Sequence, residues 1–301
     1  MKILIYGVGG IGGYLGSKLL ETDNDIMFIA RGERLKYLKK NGLEIKSNKE
    51  SRVFKPIKVF DSIPPKVNFD IILSTVKLYD FEEFIRNIKK SNNCGSILLP
   101  FQNGISAEQR LIDEFGEEKC YGAVAQISSF IDEDQSVKHV GKLATFFVGK
   151  MNQRNDLKLE NFCKMANVFG LDIRYKENIK EKIWEKFIFL SAYSGMTTLT
   201  QKTIGEIFEV IELREKFIRA MQETYYLSKE FKVTFSNNPI DFWLDKINKM
   251  PYEMTSSMHL DYNKNKKLEL EWLSGFVVRY LEKFKKDCLI HKEIVENIKV
   301  K

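Results

Sequence analysis

A glycine-rich run near the start of the chain has the spacing of a nucleotide-binding loop. Gly7, Gly9 and Gly12 follow the pattern G-x-G-x-x-G, after an apolar strand pattern and at the start of a helix pattern. There the first glycine permits a tight turn, the second lets the backbone approach a pyrophosphate, and the third lets helix and strand pack closely. The helix N-terminus offers N–H groups and partial positive charge to phosphate. We therefore predict a dinucleotide site rather than a ligand-free turn, with these cofactor-binding residues: Gly7, Val8, Gly9, Gly10, Ile11 and Gly12.

The end of the second strand pattern indicates which dinucleotide binds. Arg31 stands there, in the stretch FIARGERLK, and Arg34 follows one helical turn later. NAD-binding domains usually place an acidic residue at this point for the ribose hydroxyls, whereas a cation suits the 2′-phosphate of NADP. Arginine fits a phosphate because its planar fork donates two hydrogen bonds. The sequence therefore predicts NADP(H), the alternative being a solvent-exposed arginine at a helix start.

The elements that must position these residues alternate in the first half of the chain. Apolar runs at 2–6, 25–30, 70–76 and 96–101 are separated by amphipathic helical stretches. Continuous apolar strands between such helices are typical of a parallel sheet covered on both faces.

The pattern changes in the second half of the chain. Two or three extended segments between 121 and 149 predict antiparallel additions to the same sheet. After Ile179 the pattern is almost entirely helical, although Gly195 is a candidate for an early helix end. We predict an α/β domain with a parallel-core sheet over 1–175 and an all-α domain over 176–301.

Composition restricts the class of protein and its partners. The chain has 301 residues, 44% of them apolar, and a net charge of +7 that comes mostly from lysine. The lysines are dispersed without an aromatic-basic recognition pattern, so we expect a solvated surface and no nucleic-acid partner. The positive charge is still compatible with an anionic small-molecule ligand. No apolar run approaches the ~20 residues of a membrane span, so we expect no membrane partner.

Cysteine and histidine usage indicates the compartment. Cys94, Cys120, Cys163 and Cys288 form no CxxC pair, and with three dispersed histidines they give no metal pattern. Reduced, buried cysteines and the lack of a signal-peptide pattern favour a cytoplasmic location.

Motifs along most of the chain identify a family. In order they are GVGGIGGYLGSKL, ARG, STVK at 74–77, FQNG at 101–104, VKHVGK at 137–142, IWEKF at 183–187, LTQKTIGEI at 199–207 and SSMHLDYNKNKKLELEWLSG at 256–275. In this order and spacing the chain resembles the ketopantoate reductase (2-dehydropantoate 2-reductase) family. The resemblance implies an N-terminal Rossmann domain, a helical C-terminal domain, an active cleft between them, and reduction of a 2-keto acid with NADPH.

The resemblance also implies roles for particular residues. Lys77 would contact the cofactor, and Asn103 would touch both cofactor and substrate. Lys186, in the W-x-K motif, matches the catalytic lysine. Ser257 would lie near the substrate carboxylate, and Glu269 at the nicotinamide and substrate end. These types suit the chemistry, because hydride delivery to a ketone builds negative charge on its oxygen, which a lysine can neutralise and protonate.

Each of these residues also has an ordinary structural interpretation. Lys186 could be a surface lysine, Ser257 a helix N-cap, and Asn103-Gly104 a simple turn. Glu269 could be a surface charge, and Glu271 stands close enough to be confused with it.

Three positions depart from the family pattern and bear on the substrate. The family carries asparagines four and eight residues after the catalytic lysine, where this chain has Leu190 and Ser194, and Ile204 replaces a third. Tyr193, Ser194 and Thr197 lie on roughly the same helix face as Lys186 and could supply substitute polar groups. Ser194 is therefore a predicted substrate-binding residue.

The leading hypothesis is an NADPH-dependent reductase that converts a 2-keto acid to a 2-hydroxy acid. The first substrate candidate is 2-dehydropantoate, reduced to pantoate for coenzyme A biosynthesis, with Lys186 as proton donor and Glu269 as its catalytic partner. One alternative is a related NADP-dependent dehydrogenase for a more apolar acid, and another is a non-catalytic NADP(H)-binding protein. The sequence leaves a homodimer open.

Overall fold

The computed structural model describes residues 1–47 and 51–298, and it divides into two compact units. The first unit contains Met1–Gln102 and Ala107–Ile179, and the second contains Asn103–Ser106 and the chain from Lys180 onward. The short segment Asn103–Ser106 thus belongs with residues far later in the chain, which a division at 175/176 does not anticipate.

The described residues form ten strands, numbered in chain order. They are β1 (Lys2–Tyr6), β2 (Asp25–Ile29), β3 (Leu43–Lys46), β4 (Ser51–Phe54), β5 (Lys58–Phe60), β6 (Ile71–Ser74), β7 (Ile97–Pro100), β8 (Tyr121–Ile131), β9 (Val137–Lys150) and β10 (Ile173–Tyr175).

The helices are numbered in the same way. The first five are α1 (Gly10–Leu19), α2 (Gly32–Asn41), α3 (Phe81–Lys90), α4 (Ser106–Phe115) and α5 (Leu157–Val168). The later ones are α6 (Ile179–Thr200), α7 (Ile204–Glu209), α8 (Ile211–Glu230), α9 (Pro239–Ile247), α10 (Ser257–Asn263), α11 (Ser274–Lys283) and α12 (Ile290–Asn297). Short 3₁₀ turns occupy Leu78–Asp80, Glu117–Lys119 and Leu270–Trp272.

One sheet of the first unit is wholly parallel, in the order β5-β2-β1-β6-β7. Counted in chain order within this sheet, that is 3-2-1-4-5, the Rossmann arrangement. The central strand β1 is buried on both faces, with Ile3, Leu4 and Ile5 fully enclosed. The predicted parallel-core fold is therefore confirmed.

The segments between 121 and 149 do not extend the parallel sheet, so that prediction was wrong. They form the long antiparallel pair β8 and β9, which belongs to a second sheet of order β10-β9-β3-β4 with β8 on β9. The 14-residue strand β9 is long enough to pair twice: its start is parallel to β3 and its end is parallel to β10.

The second unit is helical, as predicted, and its helix α6 runs 22 residues without interruption. The expectation of an early end at Gly195 was wrong, since α6 ends at Thr200, before Gln201 at φ +56°. A Cβ at Gly195 would lie 2.7 Å from Ile294 Cδ1 and 3.1 Å from Ser274 Oγ. This glycine therefore serves close packing of α6 against α11 and α12.

Two further features bear on the sequence-based expectations. Within the described ranges, no helix is long and apolar enough to cross a bilayer. The cysteines are not paired with one another, and Cys120, Cys163 and Cys288 are buried, whereas Cys94 is half-buried.

Gly10 and Gly9 form a matched pair for testing the packing of α1. A Cβ at Gly10 would stand 2.1 Å from the backbone oxygen of Ser129, whereas one at Gly9 would meet nothing within 4 Å. We expect Gly10→Ala to lower the free energy of unfolding by about 1–3 kcal/mol, because β8 must move to admit the methyl group. Gly9→Ala should change it by less than about 0.5 kcal/mol. Chemical denaturation measures both, and equal effects of the two variants would contradict this packing.

Candidate active site

The glycine-rich loop connects β1 to α1 with the geometry of a phosphate cradle. Gly7 has φ +101°, which permits the sharp turn after the strand. A Cβ at Gly12 would lie 2.1 Å from the carbonyl oxygen of Gly7, so only glycine allows this approach of helix to strand. Gly9 is the N-cap of α1, and the space beyond it is open. The loop therefore fits the pyrophosphate of a dinucleotide at a helix N-terminus.

The end of β6 lies beside this loop, where the strand order of the parallel sheet reverses. Thr75 Oγ1 donates a hydrogen bond to Gly7 O, and a Cβ at Gly7 would be 2.9 Å from the backbone nitrogen of Val76. Lys77 follows directly, half-buried, as the N-cap of the turn Leu78–Asp80. Because β1 and β6 are parallel, their carboxyl ends lie at the same edge of the sheet, which places Lys77 at the same edge as the loop. In such sheets ligands bind outside the carboxyl ends of the strands where the strand order reverses.

Arg31, the predicted phosphate-binding residue, and Arg34, one helical turn later, differ in their surroundings. Arg34 donates from Nε to Val8 O at 2.9 Å and from Nη1 to Gln135 O, and burial lowers its pKa. Arg34 therefore braces the glycine-rich loop. Arg31 is the exposed N-cap residue of α2, and its guanidinium donates to Glu83 Oε2 at 2.6 Å and to Tyr6 OH at 3.0 Å.

In the helical unit, Lys186 is hydrogen-bonded to Asn103. Lys186 Nζ donates to Asn103 Oδ1 at 2.8 Å, and both residues are half-buried. Since the amide oxygen accepts this bond, the amide nitrogen of Asn103 retains its capacity to donate hydrogen bonds. The structure thus brings together two residues that the sequence separates by 83 positions.

The segment Asn103–Ser106 is held on both sides by residues of the same unit. Gly104 has φ +89°, and a Cβ there would be 3.2 Å from Leu273 Cδ2 and 3.5 Å from Phe187 Cε2. Ser106 Oγ donates to Trp272 O at 3.0 Å. These contacts fix Asn103 between α6 and the residues that follow Glu269.

Burial separates Glu269 from its neighbour Glu271. Glu269 is 8% exposed and directly precedes the turn Leu270–Trp272. Its backbone carbonyl oxygen accepts a hydrogen bond from Trp272 N at the end of this turn. Glu271 is exposed and accepts a hydrogen bond from Arg279 Nη1 at 3.1 Å. Of the two carboxylates, only Glu269 has the enclosed position that suits a site residue.

Ser257 does not cap α10, since that role belongs to Ser256. The Ser256 side chain accepts a hydrogen bond from His259 N and bonds Thr197 Oγ1 at 2.7 Å. Ser257 is the first residue of the helix and is exposed, so its hydroxyl is not used for the cap. Its predicted role near a substrate carboxylate stays a prediction.

The face of α6 beyond Lys186 carries Leu190 and the hydroxyl-bearing residues Tyr193, Ser194 and Thr197. Leu190 lies one turn after Lys186 and is half-buried, and Ser194 is buried one turn further. Thr197 donates to Tyr193 O and bonds Ser256, so its hydroxyl is committed within the fold. Burial raises the pKa of the Tyr193 phenol, whose oxygen has no hydrogen-bond partner among the described residues.

Sequence reasoning missed the residues that surround Arg31. Tyr6, Glu83 and Asn87 lie on β1 and α3, and no local motif connects them to Arg31. The strand order could have indicated Tyr6, because β1 lies beside β2 in this fold. In residues 1–47 and 51–298, no group of three or more His, Cys, Asp or Glu side chains could hold a metal ion.

The strand order and the glycine-rich loop define a dinucleotide-binding protein of Rossmann type with a helical second unit. The family model described as Ketopantoate reductase PanE/ApbA matches residues 3–153, and the model of its C-terminal part matches residues 178–301. The chain belongs to the ketopantoate reductase family. This makes it an oxidoreductase of a keto-acid-reducing family that uses a nicotinamide cofactor.

Similar proteins span the whole chain. An "Uncharacterized oxidoreductase YkpB" of Bacillus subtilis is 27% identical, covering 100% of this chain and 98% of that protein. The 2-dehydropantoate 2-reductase of Archaeoglobus fulgidus is 24% identical, covering 99% and 97%. The solved structure of D-mandelate dehydrogenase with NADH and anilino(oxo)acetate has a TM-score of 0.87 and 18% identity, covering 99% of this chain and 97% of that one. This last likeness is one of fold.

The open space beyond Gly9 predicts a selective loss of cofactor binding. In Gly9→Ala the new methyl group projects into the space where the loop approaches the pyrophosphate. We expect the dissociation constant for the nicotinamide dinucleotide to rise about tenfold or more, which equals about 1.4 kcal/mol, while the fold keeps its stability. Isothermal titration calorimetry measures it, and unchanged affinity in a folded variant would contradict the assignment of this loop.

Proposed function

We propose that the protein reduces a 2-keto acid to a 2-hydroxy acid with NADPH, with 2-dehydropantoate as the first substrate candidate. The observation that carries this proposal is the hydrogen bond between Lys186 and Asn103 in the helical unit. It supports a lysine held in a fixed position, as a proton donor must be.

The chemistry divides between the cofactor and the chain. The nicotinamide, when bound, supplies the hydride that the keto carbon accepts. Lys186 neutralises the charge that develops on the keto oxygen and gives it a proton from Nζ. Asn103 Oδ1 accepts one of the three ammonium hydrogens and so orients the others.

Glu269 and Ser257 complete the proposed site. In this proposal the enclosed carboxylate of Glu269 orients the ammonium group of Lys186 and accepts a hydrogen bond from a substrate hydroxyl. The exposed hydroxyl of Ser257, at the start of α10, can donate to a substrate carboxylate. Ser194 is the further substrate-binding candidate, buried on the face of α6 that carries Lys186.

The cofactor assignment depends on the first unit. The glycine-rich loop holds the pyrophosphate, Lys77 contacts the cofactor at the end of β6, and Arg31 binds the 2′-phosphate of NADP. The position of Arg31 at the N-terminus of α2, directly after β2, supports this choice. A cytoplasmic location and a homodimer stay predictions from the sequence.

Replacement of Lys186 tests the mechanism. We expect Lys186→Met to lower kcat by about 10²–10⁴-fold, because the keto oxygen loses its proton donor. The measurement is NADPH oxidation with 2-dehydropantoate and a panel of branched 2-keto acids. Lys182→Met is the matched control, since Lys182 lies one turn earlier on α6 and pairs with Glu185.

Two results would contradict the proposal. Full activity in Lys186→Met would remove the lysine from the mechanism. No turnover of any 2-keto acid by the wild-type protein, together with tight NADPH binding, would favour a non-catalytic NADP(H)-binding protein instead.

A second candidate function is reduction of a 2-keto acid with a more apolar side chain. Leu190 favours it, because this half-buried residue lies one turn beyond Lys186 and cannot hydrogen-bond a substrate hydroxyl. The fold itself permits a bulky substituent, since D-mandelate dehydrogenase holds anilino(oxo)acetate in a similar structure.

Leu190→Asn distinguishes the two substrates. We expect this change to raise the ratio of kcat/KM for 2-dehydropantoate over 2-ketoisovalerate by about tenfold, since the amide can bond the hydroxyl that only 2-dehydropantoate carries. Leu190→Met is the control, because the methionine thioether is only a weak hydrogen-bond acceptor and cannot replace the asparagine amide. An unchanged ratio in the asparagine variant would show that Leu190 does not face the substrate.

A further inference from the structure

Arg31 donates hydrogen bonds to two partners, one uncharged and one negatively charged. Its Nη2 donates to the neutral phenol oxygen of Tyr6 at 3.0 Å, and its Nη1 donates to the carboxylate of Glu83 at 2.6 Å. A guanidinium carries five N–H donors, so these two bonds leave three for an anion. The two partners therefore fix the same group but act differently on its charge.

Tyr6 is built into the fold as a rigid support. It ends the central strand β1, is 1% exposed, and packs edge-on against Phe84 with ring centroids 5.0 Å apart. Its hydroxyl oxygen also accepts a hydrogen bond from Asn87 Nδ2 at 2.7 Å. Because the phenol is uncharged, it positions Arg31 without reducing the positive charge that an incoming phosphate meets.

Glu83 lies on α3 one turn before Asn87 and brings a negative charge to the same place. The side chains of Arg31 and Glu83 are 43% and 41% exposed, so their ion pair is of the weak, solvent-screened kind. The pair lies after β2, where NAD-binding domains place the acidic residue that holds the ribose hydroxyls. Here the acidic residue comes from another element.

We propose that Tyr6 and Glu83 set the cofactor preference through Arg31, Tyr6 by positioning the guanidinium for a 2′-phosphate and Glu83 by opposing that phosphate. This inference rests on the proposed assignment of NADP to Arg31. A 2′-phosphate beside Glu83 meets a like charge, whereas a ribose 2′-hydroxyl can donate a hydrogen bond to the same carboxylate. Glu83 therefore narrows the difference in affinity between NADP and NAD.

The test compares two nucleotide fragments that differ at the ribose. Calorimetry with adenosine 2′,5′-bisphosphate and with adenosine 5′-monophosphate gives the ratio of their affinities for each variant of the full chain. We expect Glu83→Gln, which can still accept from Arg31, to raise the preference for the bisphosphate about threefold to tenfold. Tyr6→Phe should lower it by a similar factor, because the guanidinium loses its support.

Matched controls separate these effects from net charge and from folding. Glu82→Gln removes the same charge one residue earlier, where Glu82 pairs with Arg110, and should leave the ratio unchanged. Tyr121→Phe removes a different hydroxyl of the same unit, which bonds Asp156, and should also leave it unchanged. If Tyr6→Phe does not fold, Asn87→Leu removes the second donor to Tyr6 and should lower the ratio as well.

The outcomes separate this inference from the cofactor assignment beneath it. Arg31→Ala should lower the ratio below that of every other variant. If it does so while Glu83→Gln leaves the ratio unchanged or lowers it, or while Tyr6→Phe has no effect, the roles given to Glu83 or Tyr6 are wrong. If Arg31→Ala leaves the ratio unchanged, Arg31 does not bind the 2′-phosphate and the NADP assignment itself fails.

Discussion

The hydrogen bond from Lys186 Nζ to Asn103 Oδ1 is the interaction on which the proposed chemistry depends. A lysine on a helix ordinarily extends its ammonium into water, where rotamer freedom would spoil the geometry of a proton transfer. Here a short segment that follows β7 is packed against α6 and the residues after Glu269. The helical unit thereby contains a lysine, an amide and an enclosed carboxylate on elements that support one another.

The role that we propose for the first unit is to bind the nucleotide through backbone groups and an arginine. The glycine-rich loop needs Gly7 for its turn and Gly12 for the close approach of α1 to β1. Arg34 donates a hydrogen bond to Val8 O in the loop, so Arg31 is the arginine that we propose for the ribose end of the cofactor. Tyr6 and Glu83, which we propose set the preference for a 2′-phosphate, both accept hydrogen bonds from Arg31.

The sequence predicts the parallel sheet well, because short apolar runs between amphipathic helices have few other solutions. It fails where distant segments pair. β3 and β4 join β9 in a second sheet, and this long-range pairing has no local signal. Gly195 resembles a helix end in the sequence, whereas its function is contact with Ile294. The residues around Arg31 were missed for the same reason, since Glu83 lies 52 positions away.

A crystal structure with NADP⁺ and a non-reducible 2-keto acid analogue tests the central claim most directly. The account predicts the keto oxygen within about 2.6–3.2 Å of Lys186 Nζ, with Asn103 still bonded to the same ammonium group. It would be contradicted by a keto oxygen that contacts a different proton donor while Lys186 bonds only to protein groups.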